Sequence, residues 1–127
     1  MVGIVVVSHS AELATGVSEL ASQMSADAVA IVPAGGTADG GLGTDEDRVR
    51  DALSRAENGS GVVVLGDIGS AFLTVRHVLE RHRNGQIRIA DAPLVEGAVA
   101  AAVTASAGLP LEAVLRAAEE ARGANKF

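Results

Sequence analysis

The chain has 127 residues, no cysteine and a net charge of −6 at neutral pH, which fits one domain around a single core. The negative charge and an aromatic content of 2% argue against nucleic-acid binding, because few side chains can neutralise phosphates or stack on bases. Without cysteine, there is neither a disulfide framework nor a thiolate metal site. The apolar segments are too short for a signal sequence or a membrane span, so we expect a cytoplasmic protein.

Strand and helix patterns alternate along the chain. Apolar runs at residues 2–8, 28–32, 62–65 and 86–90 predict four strands, the second of which is stopped by Pro33. Apolar residues also recur at helical spacing. The predicted buried helix faces are Leu13, Val17, Leu20 and Met24; Val49, Ala52, Leu53 and Ala56; Ile68, Phe72, Val75 and Leu79; Ala98, Val99, Ala102 and Val103; and Val114, Leu115 and Ala118. The alternation predicts an α/β fold with a four-stranded, mainly parallel sheet and helices on both faces.

Several residues mark the ends of these elements. A glycine-rich loop covers residues 34–43, and Thr44 is predicted to cap the next helix, with Asp47 completing a capping box. Asn84 and Gly85 predict a turn before the fourth strand, and Pro110 predicts the start of the last helix. Right-handed crossovers put the carboxyl ends of parallel strands at one edge of the sheet, so the residues after each strand should meet there.

His9 directly follows the first predicted strand and precedes the first predicted helix. Chemistry in open α/β sheets tends to occur at this edge, and a helix N-terminus favours a phosphoryl group through its free N–H groups and its dipole. A neutral imidazole placed there can accept a phosphoryl group in line. His9 is therefore the candidate phosphorylated nucleophile. A hydrogen-bonded histidine without a catalytic role fits the same position about equally well.

Polar residues near the other strand ends complete the candidate site. Asp67 follows the third strand and is expected to orient His9 by accepting a hydrogen bond from one ring nitrogen; capping the next helix is its alternative role. Hydroxyl and backbone N–H groups are expected to hold the phosphate oxygens, with Ser8, Ser10, Gly36, Thr44 and Ser70 as the candidates. The other histidines are expected to be solvated, for His77, or packed at a helix end, for His82.

Motifs of other phosphate-handling and metal proteins are missing from the sequence. The glycine-rich loop lacks the GxxxxGK[ST] pattern of nucleoside triphosphatases, and no GxGxxG follows the first strand. The histidines lack the paired spacing of a zinc site. We therefore expect this chain to bind no cofactor and no metal itself.

Four motifs occur in the order found in one family. They are VVVSHS at residues 5–10, the Gly35-Gly36 loop ending at Gly43-Thr44, GDIGSA at residues 66–71 and DAPLVEGA at residues 91–98. On these motifs the chain resembles the DhaM family, the phosphotransfer subunits of dihydroxyacetone kinases that depend on the phosphotransferase system (PTS). The resemblance covers nearly the whole chain. It implies that residues 1–127 form a single phosphotransfer domain of the mannose-type EIIA fold.

The resemblance also implies a route for the phosphoryl group. The phosphocarrier HPr would phosphorylate His9, and His9 would pass the group to Mg-ADP held on the DhaL subunit, for use on dihydroxyacetone bound to DhaK. No nucleic-acid or membrane partner is implied. Mannose-type EIIA domains exchange a strand across a dimer, but no strand pattern follows Ala105 here. A homodimer is still expected, because the alanine and valine content exceeds what a small sheet needs.

Two other functions stay open on the sequence alone. The chain resembles, in fold and histidine, the EIIA component of a mannose-class PTS sugar transporter, whose acceptor is a histidine on an EIIB subunit. It could also be a regulatory docking module in which His9 is inert. Both alternatives keep the fold and differ in the chemistry of His9 or in the protein that accepts the phosphoryl group.

Overall fold

One parallel sheet organises the chain in a computed structural model that describes residues 1–81 and 86–127. Its strands in these ranges are β1 (Gly3–Ser8), β2 (Ile31–Gly35), β3 (Val62–Gly66) and β4 (Ile87–Ile89). They lie in the order β2-β1-β3-β4, and each neighbouring pair is parallel. The predicted α/β class and parallel four-stranded sheet are confirmed.

Helices cover both faces of this sheet. α1 (Ala11–Met24), α4 (Leu94–Ser106) and α5 (Leu111–Glu120) pack on one face, and α2 (Glu46–Ala56) and α3 (Gly69–Arg81) pack on the other. A short 3-10 turn, Ala121–Gly123, follows α5. No helix in the described ranges is long and apolar enough to cross a bilayer.

The two central strands are apolar, except for Ser8 at the end of β1, because each of their faces is covered. In β1, Ile4 and Val6 belong to the core under α1, α4 and α5, whereas Val5 and Val7 belong to the core under α2 and α3. Successive side chains of a strand point to opposite faces, so a strand buried on both sides has no polar alternation. This burial fixes β1, and hence the residue that follows it, in the middle of the sheet.

The prediction that Pro33 stops the second strand is wrong, because β2 extends through it. β2 lies at the edge of the sheet and pairs only with β1 among the described strands. The N–H of Gly36 donates to the carbonyl oxygen of Ser8 at 3.2 Å. Because the backbone groups of alternate residues in a strand point to the same side, the nitrogen of Pro33 points away from β1. Proline is tolerated where no ladder hydrogen bond is needed.

The predicted buried face of α1 is also wrong for three of its four residues. Leu13, Leu20 and Met24 are 43%, 41% and 56% exposed. The buried residues of α1 are Ala14, Val17, Ser18 and Ala21. Small side chains let this helix approach the sheet closely: a Cβ added at Gly35 would lie 2.8 Å from the Cβ of Ala14. Close approach therefore decides which face of α1 is buried, and the larger apolar side chains stay on its flank.

The remaining helix predictions have mixed outcomes. The faces of α2 and α5 are confirmed, since all their predicted residues are buried. In α3 only Val75 of the predicted set is fully buried, and Ile68 lies before the helix and is exposed. In α4, Ala98 and Ala102 are buried, whereas Val103 is exposed. Pro110 does precede the last helix, and the predicted turn at residues 84–85 lies outside the described residues.

The cap of α2 is Asp45, and the prediction of Thr44 is wrong. The Asp45 carboxylate accepts hydrogen bonds from the N–H groups of Asp47 and Arg48, at 2.8 and 3.3 Å. The hydroxyl of Thr44 instead pairs with the hydroxyl of Thr74 on α3, at 2.6 Å. A carboxylate is as good a cap as a hydroxyl, so the cap moves one residue along when Thr44 is engaged by α3.

Candidate active site

The register of β1 and β3 brings two polar residues together at the carboxyl edge of the sheet. Val7 pairs with Gly66, and the N–H of Asp67 donates to the carbonyl oxygen of Val7 at 3.2 Å. His9 follows β1 by one residue, as Asp67 follows β3. The two side chains therefore meet because the strands before them are neighbours, although 58 residues separate them in the chain.

Asp67 holds the imidazole of His9 through one ring nitrogen. The Nδ1 atom of His9 lies 3.0 Å from Oδ1 of Asp67. A carboxylate can only accept a hydrogen bond, so the proton lies on Nδ1 and the lone pair of the neutral ring lies on Nε2. The His9 side chain is 26% exposed and that of Asp67 is 13% exposed, so the ring reaches solvent while its partner stays mostly covered.

Four hydrogen-bond donors surround the carboxylate of Asp67. Its Oδ2 accepts from the hydroxyl of Ser8 and from the backbone N–H of His9, both at 2.9 Å. Its Oδ1 accepts from the N–H of Ile68, at 2.8 Å, as well as from the His9 ring. Partial burial by itself raises the pKa of Asp67, but the hydrogen bonds from His9, Ser8 and Ile68 together lower that pKa below its ordinary value. Asp67 therefore stays ionised and accepts bonds from residues on both strands.

The second ring nitrogen of His9 faces the start of α3. Its Nε2 lies 2.6 Å from the hydroxyl of Ser70, which is in the first turn of that helix. The N–H groups of Gly69 and Ser70 find no acceptor in the described part of the chain. Free N–H groups and the positive end of the helix dipole are what an anion needs. The reactive side of His9 is thus next to a site suited to phosphate.

Two of the predicted phosphate-binding serines already use their hydroxyls within the protein. Ser8 is completely buried; its hydroxyl donates to Asp67 and accepts from the N–H of Ser10 at 3.0 Å. Ser10 is the N-cap of α1 and accepts from the N–H of Leu13 at 3.2 Å. Ser70 is the serine that directly contacts the ring of His9. Phosphate binding by these serines stays a prediction.

The glycine-rich loop is tied to the backbone of the candidate nucleophile. Gly36 has a φ of +72°, a conformation that favours glycine, and its N–H is engaged by Ser8. The N–H of Gly43 donates to the carbonyl oxygen of His9 at 2.8 Å. Thr44 follows and is held by Thr74. The contacts seen here position residues 8–9, and a phosphate contact by Gly36 or Thr44 stays a prediction.

The alternative role of Asp67 as an ordinary helix cap does not match its contacts. Its carboxylate accepts from the N–H of Ile68, the next residue, from the N–H of His9 and from the hydroxyl of Ser8, whereas α3 begins at Gly69. His77 also has a partner, since its ring contacts the Glu46 carboxylate on the protein surface. The predicted packing of His82 lies outside the described residues.

The sequence reasoning missed the apolar side chains beside this site. Ile68 precedes α3 and Leu73 lies in it, and both are exposed, as is Leu42 in the glycine-rich loop. A groove of about 330 Å³ runs along the same helix, lined by Gly69, Phe72, Leu73, Arg76, Ile89, Ala90 and Asp91. Helical periodicity placed Ile68 on a buried face, so the sequence carried no signal that it would be exposed. Exposed apolar residues around a reactive group suit contact with another protein.

Comparisons with known proteins agree with the fold and show the family. Residues 3–115 match the EIIA-man family model, described as the PTS system fructose IIA component. A phosphoryl donor subunit, DhaM, of a PEP-dependent dihydroxyacetone kinase from Listeria innocua is 39% identical over 119 residues, covering 91% of this chain and 95% of that protein. The chain therefore belongs to the EIIA-man family and, within it, to the DhaM phosphoryl donor subunits.

Some other relatives are longer, and the fold also resembles a solved structure. The DhaM subunits of Klebsiella michiganensis and Escherichia coli are both 39% identical to this chain, which spans only 28% and 26% of their lengths. The crystal structure of a protein of unknown function, EF1359, is 30% identical, with a TM-score of 0.82 over 100% of this chain and 99% of that one. The family is thus shared by proteins of very different length.

We predict that Asp67→Asn lowers the free energy of unfolding at pH 7 by roughly 2 kcal/mol, because hydrogen bonds to a charged acceptor are lost. The pKa of Asp67 is lower in the folded protein, so its contribution is present above the ordinary carboxyl pKa. It is lost as the pH falls through the lowered value. Urea denaturation of both proteins between pH 7 and pH 2.5 should show the difference shrinking at acid pH.

Asp51→Asn is the matched control, because Asp51 is an exposed partner of Arg55 on α2, 3.6 Å away. An exposed ion pair of this kind adds little stability, so the control should stay close to the parent protein at each pH. A stability difference for Asp67→Asn that does not change with pH would contradict the account of its ionisation.

Proposed function

We propose that this chain is a phosphohistidine carrier in which His9 accepts a phosphoryl group on Nε2 and passes it to a second protein. The observation that supports this most directly is the arrangement of the His9 ring, with Nδ1 held by Asp67 and Nε2 next to Ser70 at the start of α3. This leaves the lone pair on the nitrogen that reaches the surface. The names of the relatives, phosphoryl donor subunits, support the same chemistry.

The proposed reaction needs no proton transfer at His9. The Nε2 lone pair attacks the phosphorus atom as the N–P bond of a donor phosphohistidine breaks, and the bonding electron pair returns to the donor imidazole. The ring of His9 then carries a proton on Nδ1 and the phosphoryl group on Nε2, and it is positively charged. The ionised Asp67 stabilises that charge through its contact with Nδ1. The second transfer reverses these steps towards the acceptor.

Groups at the start of α3 would stabilise the phosphoryl oxygens. The Ser70 hydroxyl, which contacts Nε2 before transfer, can turn to donate to a phosphoryl oxygen instead. The N–H groups of Gly69 and Ser70 add two donors at the positive end of the helix dipole. Ser10 offers a further hydroxyl next to His9. Positioning and charge stabilisation of this kind supply most of the catalysis in phosphoryl transfer.

The partners in this proposal are other proteins. HPr would be the donor, and Mg-ADP bound on DhaL would be the acceptor, with DhaK using the product on dihydroxyacetone. This chain would then bind no nucleotide, metal or other cofactor of its own, and residues 1–127 would act as a single phosphotransfer domain. The partial exposure of His9 and the apolar side chains of Ile68 and Leu73 beside it suit contact with two partners in turn.

A second candidate function is that of an EIIA component serving a PTS sugar transporter. The observation in its favour is the family description, which names a fructose IIA component. The curated relatives favour the kinase, because the three reported above are all named as DhaM subunits. No contact of His9 among the described residues specifically favours a regulatory module in which this histidine is inert.

We predict that incubation with phosphorylated HPr gives one acid-labile, base-stable phosphate per chain and that His9→Ala abolishes it, because the accepting nitrogen is lost. Radiolabelled phosphoenolpyruvate, enzyme I and HPr supply the label, and gel autoradiography measures it. His77→Ala is the control, because His77 is an exposed histidine paired with Glu46 away from the site. Label retained in His9→Ala and lost in His77→Ala would refute the assignment.

We predict that the phosphorylated chain drives formation of dihydroxyacetone phosphate when DhaK, DhaL, Mg-ADP and dihydroxyacetone are added. The measurement is a coupled assay with glycerol-3-phosphate dehydrogenase, using His9→Ala as the blank. A parallel reaction offers a mannose-class EIIB domain as acceptor. Transfer to EIIB with no dihydroxyacetone phosphate formed would favour the transporter function over the kinase.

We also propose a homodimer that uses the exposed flank of α1. Leu13, Leu20 and Met24 lie on one side of this helix, whereas Glu12 and Glu19 lie about a quarter turn away. An uncharged flank lets two chains, each with a net charge of −6, meet without bringing like charges together. A second copy buries the same residues on both sides, as two-fold symmetry requires.

We predict that Leu20→Glu converts a dimer into a monomer of 12.7 kDa in sedimentation equilibrium, because it puts a charge in the centre of the flank. Thr15→Glu is the control; it adds the same charge on the side of α1 that faces Pro33. A parent protein that is already monomeric, or a dimer broken only by Thr15→Glu, would exclude this interface.

A further inference from the structure

We infer that Ser8 is a positioning residue: its buried hydroxyl holds the Asp67 carboxylate in the orientation that fixes the proton of His9 on Nδ1. The inference deepens the proposed function, on which its catalytic consequence rests. The position of the proton is a property of the free protein and can be measured without any transfer reaction. The sequence suggested a phosphate contact for Ser8, and the geometry assigns it to the opposite side of the imidazole.

The direction of the Ser8 hydrogen bonds is fixed by its neighbours. The N–H of Ser10 can only donate, so at 3.0 Å it uses a lone pair of the Ser8 hydroxyl. The single proton of that hydroxyl is then free to point at Oδ2 of Asp67, 2.9 Å away. Hydrogen bonds hold the pKa of Asp67 below its ordinary value, so the group is an ionised carboxylate. It can therefore accept this hydrogen bond and has no proton of its own to donate. Ser8 therefore acts as a donor to Asp67.

Complete burial separates Ser8 from the surface on which phosphate would arrive. Its exposed fraction is 0%, because it is the last residue of the central strand β1. A buried hydroxyl with both a donor and an acceptor partner has little freedom to rotate. It therefore fixes one edge of Asp67 from inside the sheet, while the His9 ring contacts the other edge from outside.

The other contacts of Asp67 show why this hydroxyl matters. Two of its four donors are backbone N–H groups, from His9 and Ile68, and the third is the His9 ring itself. Ser8 is the remaining donor, and within the described residues it is the only side chain besides His9 that bonds Asp67. Without it, Oδ2 keeps a single donor and the carboxylate can turn away from Nδ1. The proton then moves more easily to Nε2, where it blocks the attacking lone pair.

The same hydroxyl also connects Asp67 to the start of α1. Ser10, whose N–H it accepts, is the N-cap of that helix. The carboxylate, the last residue of β1 and the first turn of α1 are therefore held by consecutive hydrogen bonds around His9. Removal of the Ser8 hydroxyl should therefore change the hydrogen bonding of the His9 ring more than the packing of the distant core.

The test compares Ser8→Ala with the parent protein by ¹⁵N NMR of the His9 imidazole at a pH where the ring is neutral. The parent should show the Nδ1–H tautomer, and Ser8→Ala should show a mixed population. Phosphoryl transfer from HPr should be roughly tenfold slower in Ser8→Ala, the effect of one hydrogen bond to a charged group. Ser8→Thr restores a hydroxyl and should recover both the tautomer and the rate.

Ser18→Ala is the matched control, because Ser18 is a buried serine of α1 whose hydroxyl oxygen has no partner in the described residues. It should change neither the tautomer nor the rate. If Ser8→Ala does not fold, Ser8→Cys keeps the size and weakens the donor, and it should still show the mixed tautomer. Unchanged tautomer and rate in the folded Ser8 variant would overturn the inference.

The two proposals fail in different ways. If the parent protein takes no phosphate from HPr while Ser8→Ala still alters the tautomer, the positioning role stands and the proposed donor is wrong. If the parent is phosphorylated and the Ser8 variant slows transfer without moving the proton, Ser8 does not act through Asp67. Recovery by Ser8→Thr of the rate alone would likewise contradict positioning.

Discussion

The site depends on one carboxylate whose hydrogen-bonding capacity is filled. Asp67 accepts two bonds at each oxygen, from Ser8, Ile68 and both the backbone and the ring of His9. These bonds outweigh the cost of partial burial and keep the group ionised. An ionised Asp67 fixes which nitrogen of His9 is free. The position of the His9 proton therefore depends on a residue that follows the neighbouring strand β3. The parallel pairing of β1 with β3 brings the two residues into contact.

The way the helices approach the sheet decides which surfaces remain for partners. Alanines and Gly35 let α1 lie close to the sheet, and that approach turns Leu13, Leu20 and Met24 outward. Ile68 and Leu73 are also exposed; they lie just before and within the first turns of α3, where Ser70 contacts the His9 ring. The exposed apolar flank of α1 thus follows from the tight packing beneath that helix.

Much of this arrangement could be predicted from the sequence, because it depends on periodicity and strand order. The apolar runs located four strands, although β2 lies three residues later than its predicted run, and parallel topology put His9 and Asp67 at one edge. The misses all required a distance that no pattern records. Edge placement made Pro33 acceptable, and close packing reversed the face of α1. Thr44 was predicted to cap α2, but its hydroxyl contacts Thr74 and the adjacent Asp45 caps the helix instead. The complete burial of Ser8 and its contact with Asp67 are likewise not visible in the sequence.

A carrier must bind its phosphoryl group firmly enough to keep it and loosely enough to lose it. The ring of His9 is about one quarter exposed, and the donors near Nε2 are one hydroxyl and two backbone N–H groups, with no cation in contact with the ring in the described residues. Stronger stabilisation, such as an arginine on the phosphoryl oxygens, would lower the energy of the intermediate and slow the second transfer. The contact with a charged group lies instead on the other side of the ring, between Nδ1 and Asp67, where it would stabilise the positive charge that the proposed phosphorylation places on the imidazole. An arrangement that stabilises the charged ring equally when the phosphoryl group is accepted and when it is donated suits a histidine that holds this group only briefly.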